Sequence, residues 1–216
     1  MNRTRAFLSV TLFLMLLLHL AAFPQKDVSE MKNPSAFRQK LADATKSTTS
    51  IECTFSQEKD LSVLSEKINS KGKFYFRKKN MLRWEYTDPF QYLIILNDGK
   101  ILIKDDDKEN HFDSRSNKVF REINSILLGC VQGTLLNDEK KFQSAYFETT
   151  ANYLVKLKPK DPQLKNIFSE ISIYFDKGDY AVARLVMTEA SGDYTIINFS
   201  SRKLNVTIPD EKFRIQ

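Results

Sequence analysis

Apolar and polar positions alternate with a period of two along much of the 216-residue chain. The alternation is densest between Gly72 and Lys104. Phe74, Tyr75 and Phe76 run into the basic cluster Arg77, Lys78 and Lys79. Leu82, Trp84 and Tyr86 then alternate with Arg83 and Glu85, the pattern of a half-buried strand. Thr87-Asp88-Pro89 breaks that run, and Tyr92 to Leu96 is apolar throughout. Asn97-Asp98-Gly99 predicts a tight hairpin, because a type I′ turn needs positive φ at both central residues.

The flanking segments extend the pattern. Gln25 to Lys32 is polar and reads as a linker. Asn33-Pro34 supplies an N-cap followed by proline at the first helical position. Phe37, Leu41 and Ala44 then share one face, so a helix is expected to end near Lys46. Ser50 to Lys59 reads as a strand with Ile51, Cys53 and Phe55 on one side. Leu61 to Ser70 is apolar enough for a strand yet interrupted by polar residues. Asp105-Asp106-Asp107 lacks calcium-loop spacing and reads as a solvated turn. Val119, Phe120, Ile123, Ile126, Leu127, Cys130 and Val131 recur at helical spacing, ending at Gly129 and Gly133. A shorter helix is expected around Leu135 to Lys141. Beyond it, alternating runs centred on Val155, Ile173, Leu185 and Ile197 are separated by turns at Lys177-Gly178-Asp179 and Ser191-Gly192-Asp193. Val206 to Ile215 reads as extended.

About ten strands with two or three clustered helices do not fit alternating βαβ units. They predict a mainly β chain with a few helices: one strongly curved antiparallel sheet with helices on its concave side. Sixteen Phe and eight Tyr provide a large apolar interior.

The N-terminus changes the picture further. Arg3 and Arg5 precede the apolar run Ala6 to Leu18, and Ala21-Ala22 supplies small residues. This predicts a signal peptide over residues 1–22, cleaved after Ala22, and a single domain from 23 to 216. No cysteine follows the run, which argues against a lipid anchor. Removing Arg3 and Arg5 takes the formal charge from +6 to +4, an ordinary soluble surface. Export and the lack of a basic tract exclude nucleic acid as an expected partner. An exported chain permits a Cys53–Cys130 disulfide, with buried free thiols the equal alternative.

Catalysis finds little support. His111 is the one histidine after the leader, and no zinc-ligand spacing, G-x-S-x-G, G-x-G-x-x-G or phosphate loop is present. No enzyme activity, metal or cofactor is expected, and His111 reads as a surface residue. Binding of an apolar ligand in the curved sheet remains, against the alternative of a solid core.

Gly72-Lys73-Phe74-Tyr75-Phe76, then Asn80-Met81-Leu82-Arg83-Trp84-Glu85-Tyr86, Pro89 and Asn97-Asp98-Gly99 resemble the periplasmic outer-membrane lipoprotein carrier family, LolA. Met187-Thr188, Asp193 to Phe199 and Phe213 fit the same pattern. The resemblance implies an incomplete, strongly curved antiparallel β-barrel with helices as a lid. It implies a monomeric periplasmic carrier in a Gram-negative bacterium. Such a carrier takes acylated lipoproteins from an inner-membrane transporter to an outer-membrane acceptor. A LolA-like binder of free lipid or glycolipid, and a non-catalytic envelope sensor with this fold, are the other readings. Alternation places Phe74, Phe76, Leu82, Trp84 and Tyr86 on one face, the candidate lining of an acyl-chain cavity, with ordinary core packing as the alternative. The family's lid-pinning arginine falls on Lys78 and its proline on Lys79. Lysine lacks arginine's planar donor fork, and Arg77 is expected to point to the opposite face.

Overall fold

The computed structural model describes residues 28–105, 108–113, 128–129 and 132–215. The expected leader, most of the amphipathic pattern at 119–131, and Cys130 lie outside the described residues.

Among the described residues twelve strands form one sheet. In chain order they are β1 (Ser29–Glu30), β2 (Ser50–Asp60), β3 (Ile68–Arg77), β4 (Met81–Asp88), β5 (Tyr92–Asn97), β6 (Lys100–Asp105) and β7 (Lys108–Asp113), then β8 (Phe142–Glu148), β9 (Asn152–Pro159), β10 (Phe168–Asp176), β11 (Val182–Glu189) and β12 (Tyr194–Leu204). Two α-helices lie wholly within the described residues, α1 (Pro34–Ser47) and the single turn α2 (Pro162–Lys165). Sheet order is β1-β8-β9-β10-β11-β12-β2-β3-β4-β5-β6-β7. Every neighbouring pair is antiparallel. Among the described residues the curved sheet does not close, and β1 and β7 lie at its two ends.

Alternation gives the sheet its two faces. The concave face carries Val155, Ile173, Leu185, Ile197, Phe55, Phe74, Leu82 and Leu96 in one core. Helix α1 starts where the sequence indicates: the Asn33 side chain accepts from the Ala36 amide at 3.0 Å. Its Phe37 lies among Tyr153 at 4.8 Å, Phe175 at 5.7 Å, Tyr146 at 6.3 Å and Tyr180 at 6.4 Å between ring centroids. The helix therefore covers the β8–β10 part of the concave side. Asp98 and Gly99 adopt φ of 47° and 75°, as the hairpin motif requires.

Several expectations are corrected. The polar linker holds β1, which pairs Ser29 with Glu148 and Glu30 with Phe147, and Met31 behind it is buried. The strand expected somewhere in Leu61 to Ser70 begins only at Ile68. The helix expected at Leu135 to Lys141 is a 3-10 turn at Thr134–Asn137. Gly133 precedes it with φ 64°, where a Cβ would lie 3.0 Å from Leu41. The C-terminal segment is not a strand. It carries a 3-10 turn at Asp210–Phe213 and packs Ile208 and Phe213 against Tyr75 on the convex face. Val206 and Ile208 alternate, but Pro209-Asp210-Glu211-Lys212 breaks the phase before Phe213, and Pro209 has no N–H for a ladder. Side chains from the sheet bind its backbone instead: Arg77 to Ile208 O at 3.1 Å, Arg83 to Lys212 O at 3.3 Å and Asn97 to Phe213 O at 3.0 Å.

A candidate ligand wall on the concave face

Phe74, Phe76, Leu82, Trp84 and Tyr86 stand together on the concave side of β3 and β4. Phe74 faces Trp84 and Phe76 faces Leu82 across the strand pair. The first four are at most 5% exposed, while Tyr86 is partly exposed. These four are therefore closed off by neighbouring side chains, and contact with a ligand would require those neighbours to move, with Tyr86 on the accessible side. Two further aromatics complete the group. Phe55 lies 4.7 Å from Trp84 and Phe199 lies 5.9 Å from it, between ring centroids. Phe199 arrives because β12 pairs with β2, setting it opposite Phe55. Gly72 makes room for this cluster: a Cβ there would lie 2.6 Å from the Phe55 ring and 2.0 Å from the Glu85 carbonyl oxygen.

The wall becomes polar next to Trp84. The Tyr86 hydroxyl donates to Gln57 Oε1 at 3.0 Å, and Gln57 Nε2 approaches Ser70 Oγ at 3.5 Å. Burial pushes the Tyr86 phenol up, with the Trp84 indole and Gln57 beside it acting in the opposite sense. The Trp84 indole Nε1 is itself buried and, although beside the Tyr86 hydroxyl, completes no hydrogen bond of normal geometry among the described residues. Leaving such a donor unpaired costs about 1–3 kcal/mol. Cys53, opposite Phe74 on β2, is a buried free thiol. Burial pushes it up to about 12, with Arg202 lowering it and Glu52 raising it.

Phe76 also opens onto a cleft of about 150 Å³ between the end of α1, β3 and the β10–β11 turn, lined in addition by Thr45, Thr48, Lys78, Asp179 and Tyr180. Lys78 Nζ donates to the main-chain carbonyl of Lys46 in the last turn of α1. The Lys78 amide donates to Thr49 O at 2.9 Å. A cation on a terminal carbonyl satisfies an acceptor the helix cannot and complements its dipole. Arg77 points to the convex face, 2.6 Å from Asp210 and 5.0 Å from the Phe213 ring centroid. Lys79 adopts φ 74°, which a proline ring cannot. The turn after β3 therefore could not carry the family's proline at this position. On the other side of the cleft, Arg202 holds Asp176 at 2.8 Å and Asp179 at 3.3 Å. These contacts fix the turn that stacks Tyr180 on Tyr153 at 5.6 Å.

His111 is exposed on β7. Among the described residues, no three of His, Cys, Asp and Glu cluster where a metal could sit.

The family described as outer membrane lipoprotein carrier protein LolA matches residues 46–216, the segment that contains every strand from β2 to β12. The chain belongs to the LolA family. Among curated relatives, the outer-membrane lipoprotein carrier protein of Xanthomonas oryzae pv. oryzae is 26% identical over 180 residues, covering 83% of this chain and 84% of that one. That of Pseudoalteromonas translucida is 22% identical over 175 residues, covering 81% and 80%. Among solved structures, MucB has a TM-score of 0.50 at 11% identity, covering 85% of this chain and 64% of that one. The Pseudomonas aeruginosa MucA/MucB complex also gives 0.50, at 12% identity, covering 84% of this chain. The chain spans only 60% of the length of the chain matched in that complex. These structural likenesses establish the fold alone.

Proposed function

We propose that this LolA-family protein is a non-catalytic periplasmic carrier. It shields lipoprotein acyl chains on its concave face and moves them from the inner to the outer membrane. The observation that carries this reading is the family match over 46–216, which coincides with the sheet holding the aromatic wall. The carrier names of its relatives support it.

The physical task fits the wall. Each acyl CH₂ left in water costs about 0.8 kcal/mol, so a long chain costs on the order of 10 kcal/mol. A carrier must offset that cost and still release its cargo. Phe74, Phe76, Leu82, Trp84 and Tyr86 form the wall against which acyl chains pack in this reading. Lys78 serves as the latch on α1 through a single main-chain carbonyl, a weaker tie than an arginine fork.

Native mass spectrometry of protein purified gently from the periplasm tests the cargo. Co-purified triacylated lipoprotein supports the proposal. A bound free lipid, or no acylated ligand at all, overturns it.

A further inference from the structure

The concave wall changes character at Trp84. Phe55, Phe74 and Phe199 surround the indole, with Phe74 at 5.4 Å between ring centroids. On the side of Tyr86, 6.4 Å away between centroids, lie Gln57 and the buried Ser70. In that boundary the Tyr86 proton is committed to Gln57, whereas the Trp84 N–H lies beside the Tyr86 hydroxyl without completing a hydrogen bond of normal geometry. Indole nitrogen is a donor only, so its complement is an acceptor that brings no competing proton. It must also be attached to an apolar body that fits among phenyl rings. A hydroxyl, ammonium or carboxylic acid head does not meet both conditions as well as a carbonyl oxygen at the end of an alkyl chain.

We propose that Trp84 Nε1 is the docking point for an acyl carbonyl oxygen. The chain lies against the aromatic part of the wall and the ester or amide link lies at the Gln57–Tyr86 boundary. The ligand class is then acyl chains joined through a carbonyl, selected over alkyl chains joined through an ether oxygen. This inference rests on the carrier reading and specifies which atom of the cargo the protein recognises.

The test compares dihexanoylphosphatidylcholine with its dihexyl ether counterpart, both as monomers, titrated against the mature protein by calorimetry. The ester is expected to bind about tenfold more tightly, about 1.4 kcal/mol. In Trp84→Phe, which keeps a ring and removes the donor, the ester is expected to fall to the affinity of the ether. Equal affinities in the unmodified protein, a comparison that needs no variant, would overturn the carbonyl docking point and leave the carrier reading standing. A tenfold preference persisting in Trp84→Phe would place the carbonyl's partner elsewhere and equally overturn it. Binding of neither lipid, nor of a triacylated lipopeptide, would remove the carrier reading as well.

Discussion

Lys78 Nζ, on the turn after β3, donates to the carbonyl oxygen of Lys46 in the last turn of α1. Position 78 is where the family resemblance sets a lid-pinning arginine, and the side chain there does contact the helix covering the concave face. Its partner is backbone, so one donor suffices and the planar fork of arginine is not required. Lys78→Ala should loosen the end of α1 while leaving the sheet intact. The Thr48 amide, which donates to Ala44 O at 3.0 Å, should exchange with deuterium about two- to fivefold faster. Lys78→Arg should restore protection. Unchanged exchange in Lys78→Ala would mean that the contact does not hold the helix.

Gly72 should be irreplaceable for packing reasons. An added Cβ would lie 2.0 Å from Glu85 O, a main-chain atom of the paired strand, and 2.6 Å from the Phe55 ring. Backbone cannot yield as a flexible side chain can, so Gly72→Ala should destabilise the fold by about 3 kcal/mol, read by urea unfolding. A loss below about 0.5 kcal/mol would show that β3 and β4 are not held at this spacing.

Cys53 makes stability depend on alkaline pH. Its folded value near 12 lies above the ordinary 9.0. Between those limits the unfolded chain loses the proton while the folded chain keeps it. The contribution is thus complete below pH 9 and is lost as pH rises toward 12. In a Cys130→Ser background, urea midpoints should fall above pH 9, and Cys53→Ala should flatten that fall. The native thiol should also resist aromatic disulfide reagents at pH 8 and react fully once unfolded.

How much of this was legible in the chain depended on where each partner lies. Ile51, Cys53 and Phe55, and then Phe74 to Tyr86, declare their faces through local alternation, and Asn33-Pro34 declares the start of α1. Asp161-Pro162 repeats that signature, and Asp161 indeed accepts from the Gln163 and Leu164 amides at 2.9 Å and 3.1 Å. A single turn gives no periodicity to accompany it, so α2 escaped notice. Phe199 joins the wall only because β12 pairs with β2, a contact that no local pattern specifies. The convex-face tail is held through its main chain by Arg77, Arg83 and Asn97, and backbone acceptors leave no mark in a sequence. The unpaired Trp84 N–H is similarly a property of surroundings. The sequence indicates an aromatic residue on an inward face, and only packing reveals that its donor has been left over.

In the proposed carrier, acyl chains lie against the concave wall. Trp84 is the only tryptophan in the chain, so its emission reports on that wall alone. The decisive measurement is fluorescence of the mature protein saturated with a triacylated lipopeptide, carrying either plain acyl chains or chains brominated at mid-length. Bromine quenches only at contact range. Strong quenching by the brominated ligand is expected, with an emission band for the plain ligand that shows a still water-excluded indole. Stoichiometric binding of the brominated lipopeptide with Trp84 emission unchanged would contradict it.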